Sequence, residues 1–174
     1  MSVLMLDKNT VSIAVASESH ILSLRSASAL DLDHLRQWKN AQRMFFFHQD
    51  LITEAQQKKW FDGFIQRTND YMLMVEHNGV PIGCMGIRLQ SDEWDIYNVI
   101  LGNAAYSKQG HMHRAFKAML RMAQAQCALP ITLKVLKQNP AVDWYLKNGF
   151  TTTFEATDHF GLTYQPQTAK DTSP

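Results

Sequence analysis

The stretch EWDIYNVILGNAAYSKQGHMHRAFKAMLRMAQAQ, residues 93–126, decides the fold of this 174-residue chain. Its start, 93–101, reads as a β-strand, and 102–110 as the loop that follows. From Met112 to Gln126 the pattern turns helical, because Ala115, Phe116, Met119, Leu120 and Ala123 recur at i, i+1, i+4, i+5 and i+8 on one face. A strand–loop–helix turn of this kind aims main-chain N–H groups and a positive helix end outward. An anion with several phosphates suits that place.

Outward from this unit the same reading continues in both directions. Pro130 ends the connection, and 131–136 reads as a strand. A short helix over 141–147 stops at Asn148-Gly149, the glycine suiting the position just past a helix end. Residues 150–155 and 161–164 close as a hairpin. Upstream, 71–76 and 82–89 are strands about His77-Asn78-Gly79, a turn with glycine available for positive φ. Thr53 is the expected N-cap of a helix over 54–66 carrying Trp60, Phe61 and Phe64. Residues 31–44 form a further helix, with Leu32, Leu35 and Trp38 at i, i+3 and i+6, and 20–25 a short strand. The order predicts an α/β (α+β) fold, a sheet covered by helices. One domain spans 20–165, after a leader or extra edge strand over 1–19 and before a flexible tail over 166–174.

Composition sets limits on class. Hydrophobic residues are 45% and charged residues 19%, as in ordinary globular chains. Cys84 and Cys127 match no zinc spacing, and so few thiols point to a reducing, cytoplasmic compartment. No apolar run reaches the length of a membrane span. The net charge of +1 hides an asymmetry. No acidic residue lies between Asp95 and Asp143, a segment holding Lys108, Arg114, Lys117, Arg121, Lys134 and Lys137, so it carries +6 and the remainder −5. Arg114, Lys117 and Arg121 form one stripe on the 112–126 helix. No aromatic-interleaved basic surface accompanies them, so nucleic acid is not the expected polyanion.

Three groups of residues carry a resemblance to a known family. Leu24-Arg25, Asp31, Leu32, Leu35, Trp38 and Asn40, then Ile52-Thr53-Glu54 and Trp60-Phe61, resemble the opening of a branch of the GNAT superfamily of N-acetyltransferases. That branch contains amino-sugar and ribosomal-protein acetyltransferases. Tyr106-Ser107-Lys108-Gln109-Gly110-His111-Met112 resembles the family's (Arg/Gln)-x-x-Gly-x-(Gly/Ala) turn. Gly110 is the central glycine; Ser107 and Met112 depart from the flanking signature positions. Asn139, Ala141, Tyr145, Gly149 and Phe150 resemble its "N..A…Y…GF" helix, with the Asn-to-Ala spacing one residue short. The similarity spans about 20–165 and implies a GNAT-like fold, a central mixed twisted sheet of about six or seven strands flanked by about four helices.

The resemblance implies an acetyl-coenzyme A-dependent N-acetyltransferase that moves the acetyl group directly to an amine, without a covalent enzyme intermediate. By it, the main-chain groups of Ser107, Lys108, Gln109, Gly110, His111, Met112 and His113, with Arg114, hold the coenzyme phosphates. Main-chain N–H groups of Ile100, Leu101 and Gly102 bind the thioester arm, Asn139 hydrogen-bonds the pantetheine, and Tyr145 protonates the departing thiolate. Asp95, deeper on its strand than Glu93, is the expected base. Strand alternation places Asp95 with Tyr97, Val99 and Leu101, and Asn98 on the opposite face. Phe46 and His48, in the loop between the first two helices, are with Asn98 the expected acceptor contacts. His111 and His113 have a spacing that converges on a strand rather than at a helix start, so no metal is expected. The expected partner is a small-molecule amine, an amino sugar ahead of a protein N-terminus, and neither nucleic acid nor a membrane. The protein is expected as a monomer or homodimer. A non-catalytic coenzyme-binding domain is the alternative from another class.

Overall fold

Tyr71 to Val75 are buried at every position, as a strand covered on both faces must be. They lie in β3 (Asp70–His77), which pairs antiparallel with β4 (Val80–Leu89) across the Asn78-Gly79 turn, where both residues have positive φ. The computed structural model describes residues 6–15 and 21–164. Its remaining strands are β1 (Ser12–Val15), β2 (Leu22–Ser26), β5 (Trp94–Leu101), β6 (Ile131–Leu136), β7 (Thr151–Glu155) and β8 (His159–Tyr164). They form one eight-stranded sheet in the order β1-β2-β3-β4-β5-β6-β8-β7, antiparallel except at β5·β6. The α-helices among the described residues are α1 (Leu32–Ala41), α2 (Glu54–Phe64), α3 (His111–Gln126) and α4 (Val142–Lys147).

The mixed sheet with four helices matches the sequence reading, with one strand beyond the expected six or seven. The addition is β1, whose Ser12 to Val15 pair with Arg25 to Leu22 and extend the sheet at its β2 edge. The expected tail over 166–174 lies outside the described residues. No helix of the described residues is long and apolar enough to cross a membrane.

Strand alternation divides the core in two. Leu73 and Val75 point with Ile87 and Trp94 to the face covered by Phe116, Met119 and Ala123 of α3. Met72, Met74, Cys84 and Ile100 point to the other face, beneath Leu35 of α1 and Phe64 of α2. The parallel β5·β6 neighbours need a crossover, and α3 supplies it.

The residues that resemble a family opening fix where α1 sits. The Arg25 guanidinium on β2 donates to both carboxylate oxygens of Asp31 (2.7 and 2.9 Å) and to Glu76 on β3 (2.7 Å). Asp31 also accepts from the Ser28 N–H at 2.8 Å, closing a capped turn just before α1. Trp38 covers Gly102, where a Cβ would come within 2.1 Å of the indole. Asn40 exchanges two hydrogen bonds with the Ile52 main chain (2.8 and 2.9 Å), and Thr53 caps α2 in a box with Gln56.

Burial pushes the Asp31 carboxyl up, but the Arg25 and Ser28 hydrogen bonds outweigh it and hold the group below its usual 3.8. A depressed carboxyl contributes stability above its unfolded pKa and loses it as pH falls through the folded value. Asp31→Asn is therefore expected to lower stability by about 2 kcal/mol or more at neutral pH. In urea unfolding the deficit narrows below about pH 4, where the unfolded chain binds a proton that the native carboxylate still resists.

Candidate active site

The site begins where β5 leaves β6. The two strands pair only at Trp94–Ile131 and Asp95–Thr132, while β5 stays laddered to β4 as far as Leu101. Beyond Asp95 the β6-facing edge of β5 therefore opens on a gap. A bulge in the β4·β5 ladder accompanies it: Gly86 pairs with Tyr97 and Cys84 with Ile100, so Met85 stands opposite both Asn98 and Val99. Asn98 takes φ 49°, a conformation that asparagine tolerates better than most residues.

The bulge corrects the expected alternation. Tyr97 packs on the α1/α2 face, and Asn98, instead of pointing oppositely, reaches α1 on that same side. Val99 turns to the α3 face, so Asp95, Tyr97, Val99 and Leu101 do not share a side. Strict period-two reading cannot anticipate the extra residue; an asparagine inside an apolar strand was the available signal.

The expected row of main-chain donors also narrows. The Gly102 N–H donates to the Ile82 carbonyl at 2.8 Å. Ile100 faces Cys84, and Leu101 faces Gly83. Bonded and non-bonded pairs alternate in an antiparallel ladder, so Ile100, like Gly102, turns its N–H toward β4. Leu101 alone of the three turns its main chain to the gap, and its carbonyl there accepts from Gln42 Nε2 at 2.8 Å.

A cavity of about 870 Å³ fills the gap. It gathers Phe46, His48, Asp95, Asn98, Asn139 and Tyr145 of the expected site residues. Tyr145, on α4, is buried with its ring against Phe116, Trp144 and Phe150, and no described residue hydrogen-bonds its hydroxyl. Burial pushes the phenol well above its usual range, so it holds its proton until an anion develops nearby. Asp95 is paired with Arg88; both contacts (2.7 and 2.8 Å) end on Oδ2, leaving Oδ1 to accept. Asn139 is spent on structure: Oδ1 accepts from the Ala141 N–H at 2.9 Å, and Nδ2 donates to the Phe45 carbonyl at 3.2 Å. Phe45 and Phe47 line the cavity while 37% and 54% exposed, so they form its rim.

The turn from Ser107 to Gly110 lies outside that cavity and is exposed. Lys108 (φ 60°) and Gly110 (φ 75°) curl it so that Gly110 N-caps α3 without a side-chain cap. This leaves first-turn N–H groups without intrahelical partners. Met112 folds inward over Gly83, away from that end. His111 is buried; Arg114, a donor only, gives a hydrogen bond to Nδ1 (2.8 Å), so Nε2 carries the proton shared with Gln109 Oε1 (3.1 Å). His113 is exposed. Arg114 Nε is buried with no hydrogen-bond partner among the described residues, whereas Lys117 donates to the Asn148 carbonyl at 2.8 Å and so is partly structural. Among the described residues no group of three metal-ligating side chains converges.

Sequence reasoning missed Lys39. It lies on α1 with Nζ 2.5 Å from Asn98 Oδ1 and 3.2 Å from the centroid of Phe46. It is in no ion pair among the described residues. Desolvation lowers its amine from 10.5 to about 7, against a small opposing effect of Cys84. A lysine lowered on folding costs stability fully below its folded pKa, and the cost fades as pH rises toward the unfolded value. Lys39→Met is accordingly expected to raise the urea midpoint at about pH 6, with the gain shrinking as the pH rises above about 7.

A family model described as "Acetyltransferase (GNAT) domain" matches residues 22–151. No functionally curated protein matches the chain in sequence. Among solved structures, FdhC, a nucleotide-linked sugar GNAT in its apo form, is 13% identical with a TM-score of 0.71, over 89% of this chain and 91% of that one. A Salmonella typhimurium acetyl transferase that modifies the N-terminal serine of ribosomal protein L7/L12 is 16% identical with a TM-score of 0.69, over 88% and 96%. PaiA N-acetyltransferase of Thermoplasma acidophilum, solved with coenzyme A, is 17% identical with a TM-score of 0.63, over 83% and 98%. At these identities the neighbours share the fold, and the family match covers most of the chain: this protein belongs to the GNAT acetyltransferases.

Proposed function

We propose that this protein transfers an acetyl group from acetyl-coenzyme A directly to a primary amine of a small acceptor. The observation that carries the reading is the common cavity: the opened edge of β5 and the Tyr145 phenol line one gap. The positive N-terminal end of α3, with the buried Arg114 Nε beside it, suits the coenzyme pyrophosphate. In this reading the Leu101 N–H binds the thioester arm, and Tyr145 gives its proton to the leaving thiolate. Asp95 Oδ1 is the base assigned to the acceptor ammonium. Coenzyme chemistry supplies the activated acetyl group; this chain supplies orientation, main-chain donors and the proton.

The acceptor side favours an amino sugar. Phe46 floors the cavity, exposed Phe47 and Phe154 rim it, and His48 and Asn98 offer polar tips, as a closed sugar site requires. A peptide N-terminus calls for acidic side chains, and the acids lining the cavity are Glu93 and the Arg88-bound Asp95.

Titration calorimetry is expected to show acetyl-coenzyme A binding; no heat up to millimolar ligand overturns the reading. Tyr145→Phe should lower kcat by about 100-fold or more while leaving coenzyme affinity unchanged. An unaltered kcat removes Tyr145 from the mechanism. Across an acceptor panel, amino sugars should exceed ribosomal N-terminal peptides in kcat/KM by about tenfold or more. The opposite ranking reassigns the cavity.

A further inference from the structure

A second cavity of about 240 Å³ lies between α1, α2 and the sheet. It shares three residues with the main one: Lys39, His48 and Asn98. Lys39 thus stands at the boundary of both spaces, on the α1/α2 side of the β5 bulge. Its stem emerges from a helix anchored on both sides of it, by Trp38 over Gly102 and by Asn40 on Ile52. Its Nζ is held between the Phe46 ring and Asn98 Oδ1. Asn98 is the bulge residue itself, next in chain to Val99 and three before Leu101, whose main chain turns away from β4.

The geometry points to Lys39 as an acceptor in its own right: we propose that the protein acetylates its own Lys39 Nζ when acetyl-coenzyme A is bound and no amine occupies the cavity. The inference rests on the functional reading above, because it needs the thioester in the gap. Three features fit this lysine to the role. It is the lysine that lines both cavities; Lys134 lines the larger one alone, exposed on β6, and Lys58, Lys59 and Lys108 are exposed outside both. It has no carboxylate partner among the described residues to hold it as a cation. Desolvation leaves a large neutral fraction at neutral pH, and the neutral amine is the nucleophile. The neighbouring Cys84 thiol does not compete, since complete burial pushes it up to about 12.

The step balances without any further reagent. The Nζ lone pair forms a bond to the thioester carbonyl carbon, and the carbon–sulfur bond breaks. The sulfur takes a proton from the Tyr145 phenol, and the proton released from Nζ returns to Tyr145 through solvent. Lys39 ends as a neutral amide, and coenzyme A leaves as the thiol. Acetylation removes the amine that faces Phe46 and fills the junction of the two cavities.

The test incubates the full chain with acetyl-coenzyme A alone and maps acetyl groups by peptide mass spectrometry, with calorimetry on the same sample. The expected result is one acetyl per chain, on Lys39, ahead of Lys134, Lys58, Lys59 and Lys108. The preference disappears in the heat-unfolded chain. Lys39→Arg is expected to abolish the fast modification while still binding the coenzyme, and Tyr145→Phe to slow it. Binding without acetyl on Lys39, or acetyl spread over exposed lysines at equal rates, overturns the inference and leaves the functional reading standing. Absence of coenzyme binding overturns both.

Discussion

β5 is laddered to β4 along its length yet parts from β6 after two residue pairs, and the chemistry proposed here depends on that parting. A strand edge with no neighbour exposes main-chain donors and acceptors, which ordinary folds cover or avoid. Here the separation is held from both sides. On one side α1 is pinned to the end of β5 by Trp38 over Gly102 and by Gln42 on the Leu101 carbonyl. On the other, β6 is committed to β8 through six residue pairs, Ile131–Tyr164 to Leu136–His159. Neither strand can swing to close the gap without breaking its own ladder.

Two consequences follow for the side chains. The bulge at Asn98 restores pairing with β4 after the extra residue, and in doing so presents Tyr97 and Asn98 together toward α1. Meanwhile α4, short and entered through a turn that Asn139 closes on the Ala141 N–H, delivers Tyr145 from the far wall. The phenol gains its hold on the proton from burial among aromatic rings, the same packing that fixes its position. Position and protonation state thus have one physical origin.

Most of the architecture was legible because it is written in periodicity. The α3 face, the Thr53 cap and the Asn78-Gly79 turn are local signals, and each forms where the pattern places it. The opening residues Arg25, Asp31, Trp38 and Asn40 were legible as a resemblance, but their work is tertiary: a guanidinium clamp, an indole over a glycine, a side chain that mimics strand pairing. What was not legible shares one cause. Lys39 sits between Trp38 and Asn40 on an amphipathic helix, where a lysine reads as solvated. Its burial comes from Phe46 and from Asn98, which is 59 residues away. The narrowing of three main-chain donors to one likewise depends on ladder phase after a bulge, which no single-strand pattern encodes.

The central claim is that the opened edge of β5 receives the coenzyme arm through the Leu101 N–H. Amide hydrogen exchange followed by NMR, with and without coenzyme A, tests it residue by residue. The account predicts that the Leu101 amide exchanges readily in the free protein and slows on coenzyme addition. Gly102, already bonded to Ile82, should stay slow in both states. An unchanged Leu101 amide in a coenzyme-saturated sample, or new protection confined to the smaller cavity at Met72 and Cys84, would contradict it.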